Sequence, residues 1–373
     1  MRTVAGGATM LAMRSSRIAA ALVALALCAP AAQAAPVKQR TNLQKLARSL
    51  VKDGAPGAVV FVRTRTGARG AASGFERLSP RVAMRVSDRY RIASVTKSFV
   101  ATLVLQLEAQ GLLKIDDPVE RFLPGVVPNG AAITLRELLS HTSGLYNYTD
   151  DPAFTTSLIL DPTRPRSPQE LLSVAFSHPP LFAPGTSWSY SNTNYVVLGL
   201  VVEAVTGQPL GVDLLGRIFK PLGLRSTSFP SDISFGPGFA HGYVSLQGSP
   251  LIDVTPALNP TWAWAAGAIV SNAADVSTFY ARLLGVHLLL PATQLAEMKF
   301  VSGVASGYGL GLRVVSTRCG KAYGHDGDFP GWRNVVYASA NGRRVAVVMV
   351  NVDESRVSYG ELSLAAETAF CSG

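Results

Sequence analysis

Charged side chains are scarce in this chain, making up 16% of its 373 residues against 48% hydrophobic ones. A chain so poor in charge builds a large core, which excludes disorder for most of it. A basic stripe is lacking too. Lys and Arg number 34 against 24 Asp plus Glu, a formal +10, but they are scattered along the chain. A nucleic-acid surface needs them gathered, so nucleic acid is not an expected partner. Long apolar runs are missing beyond the N-terminal region. The longest, Tyr195 to Val205, contains Glu203 and is too short to span a bilayer. Internal repeats and low-complexity tracts are absent. The three cysteines, Cys28, Cys319 and Cys371, have no neighbouring His or Cys at ligand spacing, so no metal centre is expected.

What is present begins with a leader pattern. Arg14 and Arg17 precede an apolar run from Ile18 to Leu27, and Ala32-Gln33-Ala34 supplies a small-x-small cleavage site. Residues 1–34 are therefore expected to be a signal peptide cut after Ala34, sending the protein to the periplasm or the medium. Leu27 before Cys28 departs from a lipoprotein signal, and Pro30 breaks the run as a membrane span. Cleavage would remove Arg2, Arg14, Arg17 and Cys28, leaving a charge of +7 and two cysteines. An even cysteine count in an exported chain predicts a Cys319–Cys371 disulfide, with free thiols as the alternative.

Along the rest of the chain, Leu43, Leu46 and Leu50 recur at helical spacing before Gly54. Gly57 to Thr64 and Ala71 to Phe75 read as a strand hairpin around Gly67. Ser94 to Leu107 is apolar nearly all round and ends near Gly111, which predicts a buried helix. Helical runs follow at Leu135 to Ser140, Pro168 to Phe176, Tyr195 to Thr206 and Gly211 to Ile218, between loops rich in Pro and Gly. Ala273 to Leu284 is a further helix, and Tyr308 to Val315 alternates like a strand. Trp332 to Ala338 and Arg343 to Val352 flank Asn341-Gly342, a strong hairpin signal. Tyr359 to Phe370 predicts a final helix. The expected fold class is α/β (α+β), an antiparallel sheet flanked by helices. It takes residues 35–114 and 265–373 for the sheet domain and 115–264 for a mostly helical inserted domain.

Three constellations carry chemistry. Ser94 and Lys97 lie three apart at the start of the buried helix, so they point within about 60° of each other. An apolar surround lowers a lysine pKa and lets Lys97 take a proton from Ser94, whose backbone N–H sits at a helix N-terminus. Tyr190 and Asn192 form the second: a Tyr near a Lys loses its proton more easily, and an Asn offers a donor and an acceptor to a bound amide. The third is His325-Asp326-Gly327, where the glycine lets a substrate backbone approach and the N–H groups that follow complete an oxyanion hole.

With these motifs in this order, the sequence resembles the penicillin-recognising serine hydrolases, the family of class C β-lactamases and D-alanyl-D-alanine carboxypeptidases. Within it the sequence is most similar to the exported carboxypeptidases of Streptomyces type. The resemblance extends through His141-Thr142-Ser143-Gly144-Leu145, Tyr308-Gly309-Leu310-Gly311-Leu312-Arg313 and Ala369-Phe370-Cys371. It implies a β-lactamase/transpeptidase-like fold with Ser94, Lys97, Tyr190 and His325 in catalysis. Asn192, Trp262 (or its neighbour Trp264), Arg313, Asp326, Gly327 and Asp328 would contact substrate. The N–H groups of Ser94 and Asp328 would form the oxyanion hole, and Arg313 would hold a C-terminal carboxylate. The implied activity is a D-alanyl-D-alanine carboxypeptidase working on peptidoglycan stem peptides as a monomer, without cofactor, and acylated by β-lactams. The alternatives are an esterase or D-aminopeptidase of the same family and an inactive wall-associated binding protein. One departure bears on the substrate: the carboxypeptidases usually carry hydroxyl residues where this chain has Asp326 and Asp328. Two acids there repel a carboxylate unless Arg313 or Arg333 neutralises them.

Overall fold

The computed structural model describes residues 42–245, 249–285, 289–305 and 307–372. The expected leader and its cleavage site lie outside them.

Seven antiparallel strands form the central sheet. Strands β1 (Gly57–Thr64), β2 (Gly67–Leu78) and β3 (Arg81–Ala83) come from near the start of the described chain. Strands β4 (Arg313–Thr317), β5 (Gly320–Phe329), β6 (Trp332–Ala338) and β7 (Val345–Val350) come from its end. The order is β3-β2-β1-β7-β6-β5-β4, so the two ends meet where Ala58 pairs with Val350. Side chains alternate between the faces of a strand. Val60, Val62, Ala346 and Val348 therefore pack on one side with Leu43, Ala47 and Leu50 of helix α1 (Leu43–Lys52), while Val59, Phe61, Val347 and Met349 join the core on the other. Both faces are covered, which is why β1 and β7 read as unbroken apolar runs. Each of the larger side chains, the Val, Leu, Phe and Met, contributes about 1.5–3 kcal/mol by leaving water.

Helix α2 (Thr96–Ala109) runs through the larger core and is buried on nearly every side. The intervening chain supplies helices α3 (Leu135–Ser140), α4 (Pro168–Phe176) and α5 (Asn192–Thr206), and α6 (Ala273–Leu284) packs on the sheet. The predicted stretch Gly211 to Ile218 is divided between a helix at Leu210–Leu214 and a wider turn at Leu215–Phe219. A nine-residue helix at Pro152–Leu160 was missed: it starts at an Asp151 cap followed by Pro152, but it has no apolar periodicity, because it buries only Phe154 and leaves Ile159 and Leu160 exposed. Helix α7 (Tyr359–Cys371) begins at a capping box made by Ser358 and Glu361 and ends at Cys371. Cys371 is bonded to Cys319, which pins α7 to the turn between β4 and β5.

Asn341-Gly342 turns the chain between β6 and β7, with Gly342 at φ +66°, where a side chain would also strike the Ala281 carbonyl. The strand expected from Tyr308 starts late. Gly311 takes φ +72° and Gly309 donates to the Leu312 carbonyl, so the chain curls until β4 begins at Arg313.

Candidate active site

Ser94 lies in a single 3-10 turn, Ala93–Val95, that feeds α2, so it sits just ahead of the helix rather than within it. Ala93 is held at φ +49°, a strained value for a residue with a side chain. Strand β5 presses on this turn: a Cβ on Gly327 would lie 2.3 Å from the Ile92 carbonyl oxygen and 3.1 Å from the Ala93 Cβ. Gly327 was expected to admit a substrate backbone. The backbone it admits is the chain's own, and the lack of a side chain there sets the position of the turn carrying Ser94.

Lys97, one helical turn on, is fully buried. Its Nζ lies 3.0 Å from Ser94 Oγ, 2.7 Å from Asn192 Oδ1 and 2.8 Å from the Ala266 carbonyl oxygen. Burial pushes its pKa well below the usual lysine value, Arg313 pushes the same way, and Asp326 opposes them. A neutral amine fits these three contacts. Nζ is within donating distance of all three oxygens, and once the amine is neutral two N–H groups can serve Asn192 and Ala266 while its lone pair is left for the Ser94 hydroxyl proton.

Tyr190 hydrogen-bonds Ser94, and the Lys97 ammonium position lies 4.9 Å from the centre of its ring. The expected easing of proton loss from this phenol is reversed. Burial drives its pKa up, and the contact with Ser94 offsets only part of that rise. The two shifts leave Lys97 the group readier to lose its proton and Tyr190 a phenol that holds its own. Asn192 opens α5 with its polar groups largely committed: Oδ1 to Lys97, Nδ2 to Thr149 Oγ1 at 3.0 Å, and its backbone N–H to Asn147 Oδ1 at 2.9 Å. One side-chain N–H is left for a substrate carbonyl. Thr149 and the Ala266 carbonyl were missed in the sequence, since nothing local marks a partner 43 or 169 residues away.

The strand side of the site differs from expectation. His325 is buried, with Nε2 2.8 Å from the Tyr308 hydroxyl and Nδ1 2.5 Å from the Asp326 carbonyl oxygen. A carbonyl only accepts, so Nδ1 carries the proton and Nε2 accepts from Tyr308. Burial lowers the His325 pKa to about 3, keeping the ring neutral. With both nitrogens taken, His325 has none free for proton exchange with a substrate, and it fixes the backbone of β5 instead. Arg313 is in an ion pair with Asp326. Arg333 Nε lies 3.2 Å from Asp328 Oδ2. Each acid that departs from the carboxypeptidase pattern thus has its own arginine.

A cleft of about 200 Å³ opens beside Ser94, lined by Tyr148, Thr149, Asn192, Trp262, Asp328 and Phe329 among others. Ser94 and Asp328, the residues expected to give the oxyanion-hole N–H groups, both border it. Trp262 lines the cleft and packs on Phe329 with ring centres 4.8 Å apart. Its neighbour Trp264 turns away to cover Gly199 of α5, which separates the two candidates.

Residues 43–369 match the Beta-lactamase family model. The D-aminopeptidase of Brucella anthropi is 30% identical over 330 residues, 84% of this chain, which spans 59% of that relative's length. Penicillin-binding protein 4 of Amycolatopsis lactamdurans is 30% identical over 323 residues, 79% of this chain and 81% of that one. The crystal structure of a D-stereospecific amidohydrolase from Streptomyces sp. is similar with a TM-score of 0.80 at 37% identity, covering 87% of this chain and 97% of that one. The match over most of the chain, together with the fold, makes this protein a member of the Beta-lactamase family of serine hydrolases.

Proposed function

We propose that the protein hydrolyses amides of free-amino acyl groups, in the manner of a D-aminopeptidase or amidase, through an acyl-enzyme at Ser94. In acylation, the Ser94 hydroxyl proton passes to neutral Lys97 as Oγ bonds to the substrate carbonyl carbon. The oxyanion is received by the N–H groups of Ser94 and Asp328. Tyr190 donates its proton to the leaving nitrogen as the C–N bond breaks, and recovers one from Lys97. Water repeats the sequence to release the acid. The depressed pKa of Lys97 and the raised pKa of Tyr190 support this division of labour.

The Arg313–Asp326 pair carries the choice of substrate. A carboxypeptidase of this kind needs that guanidinium for the terminal carboxylate, and here it is occupied. Asp328 adds a half-exposed acid to the cleft wall, which suits an α-ammonium and opposes a carboxylate. The similarity to an amidohydrolase at 37% identity supports the same reading. Removal of D-alanine from stem peptides is the second reading, favoured by the presence of Arg313 at the expected place, and it requires a substrate that displaces Asp326. Acylation by β-lactams, which carry a carboxylate of their own, belongs with the second reading. The leader pattern and the Cys319–Cys371 bond support export after removal of residues 1–34.

The test is ammonia release from D-phenylalanine amide, beside D-alanine release from a diacetylated Lys-D-Ala-D-Ala tripeptide, with Ser94→Ala as control. The proposal expects the first reaction, lost in the control, and little of the second. Tripeptide turnover exceeding amide turnover would reverse the order of the two readings.

A further inference from the structure

The His141–Leu145 stretch has no role in the chemistry above, yet its histidine touches the phenol-bearing segment from several directions. His141 follows α3 in the left-handed conformation, at φ 61°, and is fully buried. The amides on both sides of Tyr190 end on it. Ser189 N–H donates to the His141 carbonyl oxygen at 3.1 Å, and Ser191 N–H donates to His141 Nδ1 at 3.2 Å. Asn194 Nδ2 is a further 3.3 Å neighbour of the same nitrogen. The imidazole lies against the Tyr190 ring with centres 4.3 Å apart, and Tyr195 and Tyr308 close in at 5.4 and 4.7 Å.

Because Nδ1 accepts, the neutral ring carries its proton on Nε2, which is buried without a hydrogen-bond partner. An apolar residue would avoid that unpaired N–H. What histidine supplies in exchange is an acceptor at the depth of Ser191. That acceptor is preserved, because burial, with the Arg313 guanidinium pushing the same way, holds the His141 pKa well below its usual value.

We propose that His141 is a positioning residue for Tyr190, fixing the backbone on either side of it and the plane of its ring so that the phenol meets Ser94. This rests on the role given to Tyr190 under Proposed function and acts through it without contact with substrate. The effect should fall on turnover more than on binding, because Tyr190 donates its proton only as the bond breaks.

Two polar variants test it on D-phenylalanine p-nitroanilide, whose leaving nitrogen must take up a proton as the C–N bond breaks and so reports the donor role given to Tyr190. In His141→Asn the side-chain oxygen takes the place of Nδ1, and Asn tolerates the left-handed backbone. In His141→Gln the oxygen reaches the place of Nε2 and leaves Ser191 N–H unpaired. The proposal expects kcat of the Asn variant within about threefold of the parent and that of the Gln variant lower by about tenfold or more, each with KM within about twofold. Equal kcat in the two variants, or a loss confined to KM, overturns it. Tyr190→Phe is measured alongside: an unchanged rate there removes the role of Tyr190 itself, a result distinct from failure of the His141 pair.

Discussion

The helix wall and the strand wall around Ser94 deal with charge in opposite ways. On the helix wall, Lys97 is buried against two carbonyl-type oxygens and a hydroxyl with no carboxylate bonded to it, so desolvation pushes its pKa well down. The adjoining phenol of Tyr190 is kept protonated by the same burial. On the strand wall, Arg313 and Arg333 each sit beside an acid, Asp326 and Asp328. Burial without a bonded counter-charge shifts Lys97 and Tyr190, whereas on the strand wall each arginine lies against an acid. The first wall is thereby equipped for proton transfer. Under the proposed function, the second is where the charge of a substrate is read.

The helix wall is broken most completely by Ser94→Ala, which should lower turnover of D-phenylalanine amide by on the order of 10⁴-fold or more, measured as ammonia release. Lys97→Ala should cost about 10²- to 10⁴-fold, the range for loss of a general base. The pH profile sharpens the same point. Lys97 works unprotonated and its pKa is lowered, so kcat/KM should hold through neutral pH and fall only as pH drops through that lowered value. A limb near the ordinary lysine value would contradict the desolvated amine. His325, pushed to about 3, should add no limb near neutrality.

Changes on the strand wall should be smaller and depend on the substrate. Asp328→Asn should raise KM for free-amino amides by about tenfold, the scale of one charge-assisted contact, and leave N-acetylated amides unaffected. A steady-state comparison of the two substrates checks this. Farthest from the cleft, Cys371→Ser should leave kcat unchanged while lowering stability by about 3–4 kcal/mol, as expected for opening a loop closed over 52 residues. Urea unfolding of the oxidised parent and the variant reads that difference.

The contrast between the walls also marks what was legible in the sequence. Ser94 and Lys97 meet because they are three residues apart at a helix start, and α1, β1, α2, α6, β6 and α7 follow from periodicity and turn residues. The strand wall was read partly from its glycine and partly from resemblance, and it departs from both where packing decides. Gly327 faces the chain's own turn, and His325 spends both nitrogens on Tyr308 and its own strand. Pairing of the two acids with Arg313 and Arg333 was one of two outcomes the sequence allowed. His141 and Tyr190 lie 49 residues apart, and their contact is made by folding, which no local spacing records.

The most direct measurement is made on Asp326→Thr, which removes the partner of Arg313 and restores a hydroxyl at that place. The ratio of kcat/KM for the diacetylated Lys-D-Ala-D-Ala tripeptide to that for its C-terminal amide reports recognition of the carboxylate alone. If Asp326 is what silences Arg313, this ratio rises by about tenfold or more in the variant. A ratio that stays constant or falls would mean that Arg313 is already open to the substrate, and the assignment to amide rather than carboxylate-terminated substrates would be wrong.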